Sequence, residues 1–279
     1  MLKVKVSATS ANIGIGFDCL GMALNISNEF TFEIDDSFNY YGFKEEYCND
    51  FNLVKLAYSK VFEYAEKDII PVKIGFNGNI PIARGLGSSS SLIVAGVFAA
   101  NYYLGGIFSK DELFQICALM EGHPDNVAPA IYGGFTASYL VNGVYKCINY
   151  PVNNLFFKII IPPFEVKTSD ARKVLPSNVS YSDAVSNISR VINLPKAFSD
   201  GDIDLLKELL IDKLHEPYRM KLIDGYIDIK KSVEDCGGCL VISGSGSTML
   251  VISDKIIDFE CKYSIIDCLI GNGVRLEEC

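Results

Sequence analysis

Residues 2–6 (Leu-Lys-Val-Lys-Val) and 29–34 (Glu-Phe-Thr-Phe-Glu-Ile) alternate apolar with polar side chains, the period of a half-buried β-strand. The loop between them is punctuated by Gly14, Gly16 and Gly21. At 53–65 the period lengthens: Leu53, Leu56, Ala57, Val61, Phe62 and Ala65 share one face of a helix, and 71–76 then reads as another strand. Pro81-Ile-Ala-Arg-Gly-Leu-Gly-Ser-Ser-Ser-Ser91 leads into the apolar stretch 92–104, which stops at Gly105-Gly106. Serine at the start and glycine past the end predict a loop opening a buried helix. Ser109-Lys-Asp-Glu112 has the spacing of a capping box, so a second helix runs to about Met120 and delivers Glu121-Gly-His-Pro-Asp-Asn126 into a turn.

Beyond Tyr150-Pro151 the pattern predicts a strand at 156–161, a break at Pro162-Pro163, and helices at 182–198, 202–214 and 222–234. Segments 239–243 and 248–253 flank a Gly-Ser-Gly-Ser turn as a hairpin, and a strand at 263–267 precedes a charged tail. The change of pattern puts a boundary near 150–162, dividing 1–155 from 156–279. Both parts mix helix with strand, an α+β arrangement.

The 279 residues, 49% hydrophobic and 21% charged, have the composition of a folded chain and exclude intrinsic disorder. Lys plus Arg number 25 against 34 for Asp plus Glu, a formal charge of −9 with no basic stripe, so nucleic acid is not an expected partner. The opening MLKVKVSATS lacks an apolar signal-peptide core, and the longest apolar run, 92–100, falls short of the ~18 residues a membrane span needs. No membrane association and a cytoplasmic location are expected. The nine cysteines (19, 48, 117, 147, 236, 239, 261, 268 and 279) read as reduced thiols. Cys236-Gly-Gly-Cys239 alone has metal or redox spacing, and without a second pair or a nearby histidine it reads as structural.

Chemistry concentrates at the glycines. In 81–91 they allow backbone amides to approach an anion, and the helix start behind them adds unpaired N–H groups, a cradle for polyphosphate with Ser88 to Ser91 available to a metal or a phosphate oxygen. Neither GxxxxGK[ST] nor GxGxxG occurs, and a plain capped turn remains the alternative. Asn12 and Asp18 sit on the first glycine-rich loop, either as ligand groups or in an ordinary Asx turn. Of the two histidines, His123 lies beside Asp125 and Asn126, while His215 reads as a helix-terminal residue near Arg219.

Together Ser7-Ala-Thr-Ser-Ala-Asn-Ile-Gly-Ile-Gly-Phe-Asp-Cys-Leu-Gly21, the 81–91 loop, His123-Pro-Asp-Asn-Val-Ala-Pro129 and Ser243-Gly-Ser-Gly-Ser-Thr248 resemble the GHMP small-molecule kinases, in the family's order over nearly the whole chain. Within them the opening and the HPDNVAP turn resemble the homoserine kinases. The resemblance implies a two-domain α+β fold: an N-terminal ATP-binding domain like the second domain of ribosomal protein S5 at 1–155, and a ferredoxin-like domain at 156–279. It implies ATP- and Mg²⁺-dependent phosphorylation of the side-chain hydroxyl of L-homoserine, in threonine biosynthesis, and a possible homodimer. By the same resemblance Pro81, Ile82, Ala83, Arg84, Gly85, Leu86, Gly87, Ser88, Ser89, Ser90 and Ser91 bind ATP with Asn52 at the adenine, and Ser89 with Glu121 holds the metal. Asn12, Asp18, His123, Asn126, Thr168, Arg172 and Arg219 receive the amino acid. His123, Asp125, Asn126 and Arg219 lie at the reacting centre, with Asp125 expected to orient its turn rather than act as a base. A sibling kinase using another small alcohol and a non-catalytic metabolite sensor are the competing readings.

Overall fold

Alternating apolar positions become two sheets in the computed structural model, which describes residues 1–278. Its strands are β1 (Leu2–Ala11), β2 (Leu20–Ile34), β3 (Asn39–Tyr41), β4 (Val72–Asn77), β5 (Phe135–Val141), β6 (Val144–Tyr150), β7 (Phe156–Ile161), β8 (Cys239–Ile242), β9 (Met249–Ser253), β10 (Ser264–Cys268) and β11 (Arg275–Glu278). The larger sheet runs β11-β1-β2-β4-β3, with the β5–β6 hairpin joined to the first residues of β2. Its pairings are antiparallel except β3 with β4. The smaller sheet, β10-β7-β9-β8, is wholly antiparallel between neighbours. Numbered within itself its order is fourth, first, third, second, which is the ferredoxin-like order.

The helices are α1 (Leu53–Tyr64), α2 (Ser88–Tyr103), α3 (Lys110–Glu121), α4 (Val127–Tyr132), α5 (Thr168–Lys173), α6 (Tyr181–Val191), α7 (Leu194–Asp200), α8 (Ile203–Leu209), α9 (Glu216–Arg219) and α10 (Tyr226–Asp235). α3 starts as its sequence requires: Ser109 and Glu112 form a reciprocal capping box, a device worth about 1 kcal/mol. α1 has the expected limits but a rotated face. Val54, Ala57, Tyr58, Val61 and Phe62 are buried while Leu56 is exposed, because the Tyr58 hydroxyl reaches the Ile70 carbonyl (3.0 Å) and its ring can then pack inward.

The second half departs further from the expected helices. Stretch 182–198 breaks into α6 and α7, since Pro195 lacks an N–H and belongs in a first turn. Helix 202–214 stops at Leu209, and the Asp212 carboxylate instead accepts the amides of Leu214 (3.1 Å), His215 (2.7 Å) and Glu216 (2.7 Å). The predicted 222–234 helix begins only at Tyr226. The charged tail forms β11, which pairs with β1 at the edge of the larger sheet.

One core lies between the larger sheet and α1 to α4, built on Phe30, Phe32, Tyr58 and Phe62. A second joins the sheets: Ala8, Met22, Leu24 and Phe135 pack with Phe157, Ile159, Leu250, Ile252 and Phe198. A third, around Ile160, Met249, Val251 and Val233, covers the other face of the smaller sheet. The two sheets are therefore packed against one another, and the loops above their junction have fixed relative positions. Eight cysteines are free thiols, among them Cys236, whose Sγ meets the Asp258 carbonyl (3.2 Å), and the buried Cys239. Cys279, expected as a reduced thiol, lies outside the described residues.

Candidate active site

Loops and helix starts from both sheets meet over that junction around a cleft of about 490 Å³. The loop from β1 to β2 supplies Asn12 and Asp18, the loop before α2 supplies residues 82–87, and the β8–β9 turn supplies Gly244 and Ser245. The loops are stitched together by hydrogen bonds. Backbone amides of Thr9, Gly244 and Thr248 donate to the carbonyls of Leu86, Ala11 and Arg84, each at 3.1 Å. The Ser243 hydroxyl donates to the Gly85 carbonyl (2.6 Å), and the Asn12 amide nitrogen to the Gly244 carbonyl (2.9 Å). Only glycine fits two of these positions. Gly85 (φ +75°) and Gly87 (φ +67°) are left-handed, and an added Cβ would stand 2.1 Å from the Ser243 carbonyl oxygen or 1.9 Å from Thr9 Oγ1.

At one end of the cleft α2 begins directly after Gly87, so no side chain caps its first amides and its positive end faces the cleft. The serines thus form the first turn instead of preceding it. Ser89 and Ser90 donate to the two oxygens of Glu121, at 3.0 and 2.9 Å. Ser89 is exposed and lines the cleft with Ser88, whereas Ser90 is buried. Ser91, expected to be available to a ligand, faces inward: its hydroxyl donates to the Ser88 carbonyl (2.7 Å) and accepts from the Asn28 amide (2.9 Å). Pro81 also stands outside the lining. Arg84 reaches away, to the Pro163 carbonyl (3.0 Å) and Glu165 (3.4 Å). Asn52 borders the cleft, but its carboxamide caps α1, accepting from Val54 (3.0 Å) and Lys55 (3.3 Å) and donating to the Tyr47 carbonyl (2.8 Å). Phe43, Tyr47, Phe51 and Phe76 line the cleft here, and Phe51 is 85% exposed.

The other end carries charge of both signs. Arg172 donates to both oxygens of Asp18 (3.0 and 2.9 Å), one helical turn beyond Thr168 on α5. The hydrogen bond to Asp18, opposed by burial and helped by charge, holds the Arg172 guanidinium above its usual range. In this half-exposed setting the pair is worth at most about 1 kcal/mol, little to surrender to a ligand. Arg219 is buried and donates to the carbonyls of Gly244 (3.0 Å) and Ala171 (3.3 Å). Burial, and then the charge of Arg172, lower its pKa.

Between the ends stand His123, Asp125 and Asn126. His123 Nδ1 lies 2.6 Å from Asp125 Oδ1. Burial pulls the imidazole pKa down, but the Asp125 hydrogen bond and charge, aided by Glu121 and Asp18, outweigh it and leave the pKa raised. Asn126 Oδ1 accepts from Thr9 Oγ1 (2.7 Å), which fixes the amide and points its NH₂ group elsewhere. Thr9 and the aromatic wall escaped the sequence reading. The wall had a signal, five aromatic residues within 40–51, whereas nothing local marks Thr9. Chemically the cleft can take a polyanion at the α2 end and a group bearing both charges at the Asp18–Arg172 end, with a donor-rich turn between.

The family model for the GHMP kinases N terminal domain matches residues 52–134. A homoserine kinase of Clostridium botulinum is 43% identical over 261 residues, 91% of this chain and 87% of that one. A homoserine kinase of Clostridium beijerinckii is 42% identical over 259 residues, again 91% and 87%. Among solved structures, homoserine kinase from Cytophaga hutchinsonii matches with a TM-score of 0.86 at 28% identity, covering 99% of this chain and 97% of that one. Mevalonate diphosphate decarboxylase from Staphylococcus aureus matches at 0.73 and 15% identity, covering 100% and 99%, a likeness of fold alone.

Proposed function

The chain belongs to the homoserine kinases of the GHMP kinase family, and on that premise we propose how its cleft makes O-phospho-L-homoserine from ATP and L-homoserine. The observation that carries the assignment of ends is their chemical contrast: an open helix N-terminus with Ser89 and Glu121 at one, and Asp18 with Arg172 and Arg219 at the other. The triphosphate lies along 82–89, with the adenine toward the aromatic wall and Asn52 behind it as a cap. Homoserine places its ammonium at Asp18 and its carboxylate at Arg172 and Arg219, whose planar donors suit a carboxylate. Asn12 and Thr168 add neutral polar contacts.

A carboxylate flanked by two hydroxyls is a fitting oxygen donor set for a hard cation that keeps waters, and Ser89, the exposed member, would hold Mg²⁺ with Glu121. When bound, Mg²⁺ would neutralise charge on the phosphates. The homoserine oxygen forms its bond to the γ-phosphorus as the bond to the β–γ bridging oxygen breaks, and the hydroxyl proton leaves to a phosphate oxygen. This transition state is loose, so positioning and electrostatics carry the catalysis. Asn126 orients the hydroxyl, Arg219 presents positive charge, His123 lies at the same turn, and Asp125 serves as the partner of His123. We place the reaction in threonine biosynthesis, in the cytoplasm, in a homodimer whose chains each divide into domains 1–155 and 156–279. No helix of the described residues is long and apolar enough to cross a membrane.

Glu121→Gln tests the division of the cleft. The Mg²⁺ concentration for half-maximal turnover should rise about tenfold or more, with the homoserine KM nearly unchanged, since one charge-assisted ligand is lost. Wild-type Mg²⁺ dependence in this variant would reject the metal assignment.

A further inference from the structure

Phe17, beside Asp18 in the first loop, has no part in the roles above, yet it touches both arginines. Its ring centroid lies 5.0 Å from Cζ of Arg219 and 5.7 Å from Cζ of Arg172. It also stacks on the buried His215 ring, centroid to centroid 5.1 Å at 24°. His215 is itself fixed, donating from Nε2 to the Gly14 carbonyl of the same loop. The backbone on either side of Phe17 is pinned: the Gly16 amide donates to the Asn12 carbonyl (2.8 Å) and the Asp18 amide to Asn12 Oδ1 (3.0 Å). Phe17 is thus a rigid aromatic face carrying two guanidinium groups.

The two arginines differ in what else holds them. Arg219 is anchored by two backbone carbonyls. Arg172 is held by both oxygens of Asp18, the carboxylate that the reading above gives to the substrate ammonium. Once Asp18 turns to that ammonium, the aromatic face still holds Arg172. We propose that Phe17 is a positioning residue that keeps the Arg172 and Arg219 guanidinium groups aimed at the substrate carboxylate while Asp18 engages the ammonium, and so sets the preference for an α-amino acid over a simple amino alcohol. The proposal rests on the homoserine reading of the site.

The test compares L-homoserine with 3-aminopropan-1-ol, which is homoserine without its carboxylate, in wild type, Phe17→Leu and Phe17→Tyr. Phe17→Leu keeps an apolar side chain but removes the ring quadrupole. Its kcat/KM for L-homoserine should fall about tenfold, mainly through KM, with less than about a twofold change for 3-aminopropan-1-ol. Phe17→Tyr should restore wild-type discrimination. Equal losses for both alcohols would show a merely structural role, and no loss for either would show none; each overturns the proposal. If Phe17→Leu does not fold, Phe17→Met carries the same comparison. Should the wild type phosphorylate neither alcohol, the substrate reading itself fails, and the proposal with it.

Discussion

Glu216 is buried in α9, where its carboxylate accepts the Ile242 amide at 2.6 Å. Burial pushes its pKa up to about 7, against the downward pulls of that hydrogen bond and of Lys230 and Arg219. The unfolded chain releases this proton near 4.5, so between about 4.5 and 7 the folded state holds a proton that the unfolded state has lost. Stability therefore falls as pH rises across that window and levels off above it. Glu216→Gln keeps the acceptor without the charge. Relative to wild type it should gain roughly 3 kcal/mol in urea unfolding between pH 4 and pH 8; parallel pH profiles would show that Glu216 is ionised at no cost. Residues such as Asp18, His123 and Arg172 were legible in the sequence because the chemistry resides in the side chain and the motif. Phe17, Thr9 and Glu216 were not, because their roles come from partners far along the chain, 117 positions away for Thr9. Asn52 carried both signals, and its local one, asparagine before a helix, is the one its hydrogen bonds express.

Among the elements, the turn into α2 carries the sharpest constraint. Gly87→Ala adds left-handed strain of about 1–2 kcal/mol and also drives a methyl group toward Thr9 Oγ1, which holds Asn126. Gly105→Ala supplies the control: its φ is +81°, but nothing lies within 4 Å of the added Cβ. Both variants should lose melting temperature, whereas only Gly87→Ala should lose kcat, by about tenfold or more, as a displaced site residue does. Equal activity in the two would show that Asn126 tolerates the shift. Elements with local punctuation, such as α3 with its capping box and the β8–β9 hairpin, stood out in the sequence. α8 was predicted too long because its end is set by the Asp212 carboxylate, and the tail concealed β11 because an edge strand needs only backbone pairing to β1.

For the whole molecule, the shared core of Phe135, Phe157, Phe198 and Ile252 joins the two sheets and holds the loop before α2 opposite the arginines. Apolar patterning marked seven of the described strands but not β3, β5, β6 or β11, and which sheet received each was carried by long-range pairing, as in the return of Arg275–Glu278 to β1. On the proposed reading, this packed junction makes one cleft with a phosphate end and an amino-acid end. Coupled ADP release with ATP and Mg²⁺ tests it most directly, offering L-homoserine, D-homoserine, L-threonine, L-serine and mevalonate in parallel to wild type and Arg172→Ala. Turnover should be confined mainly to L-homoserine, with kcat/KM lowered about a hundredfold in Arg172→Ala, as expected when a charge-assisted carboxylate contact is removed. Measurable ATP binding without turnover of any alcohol, or equal turnover of L-homoserine by the variant, would contradict it.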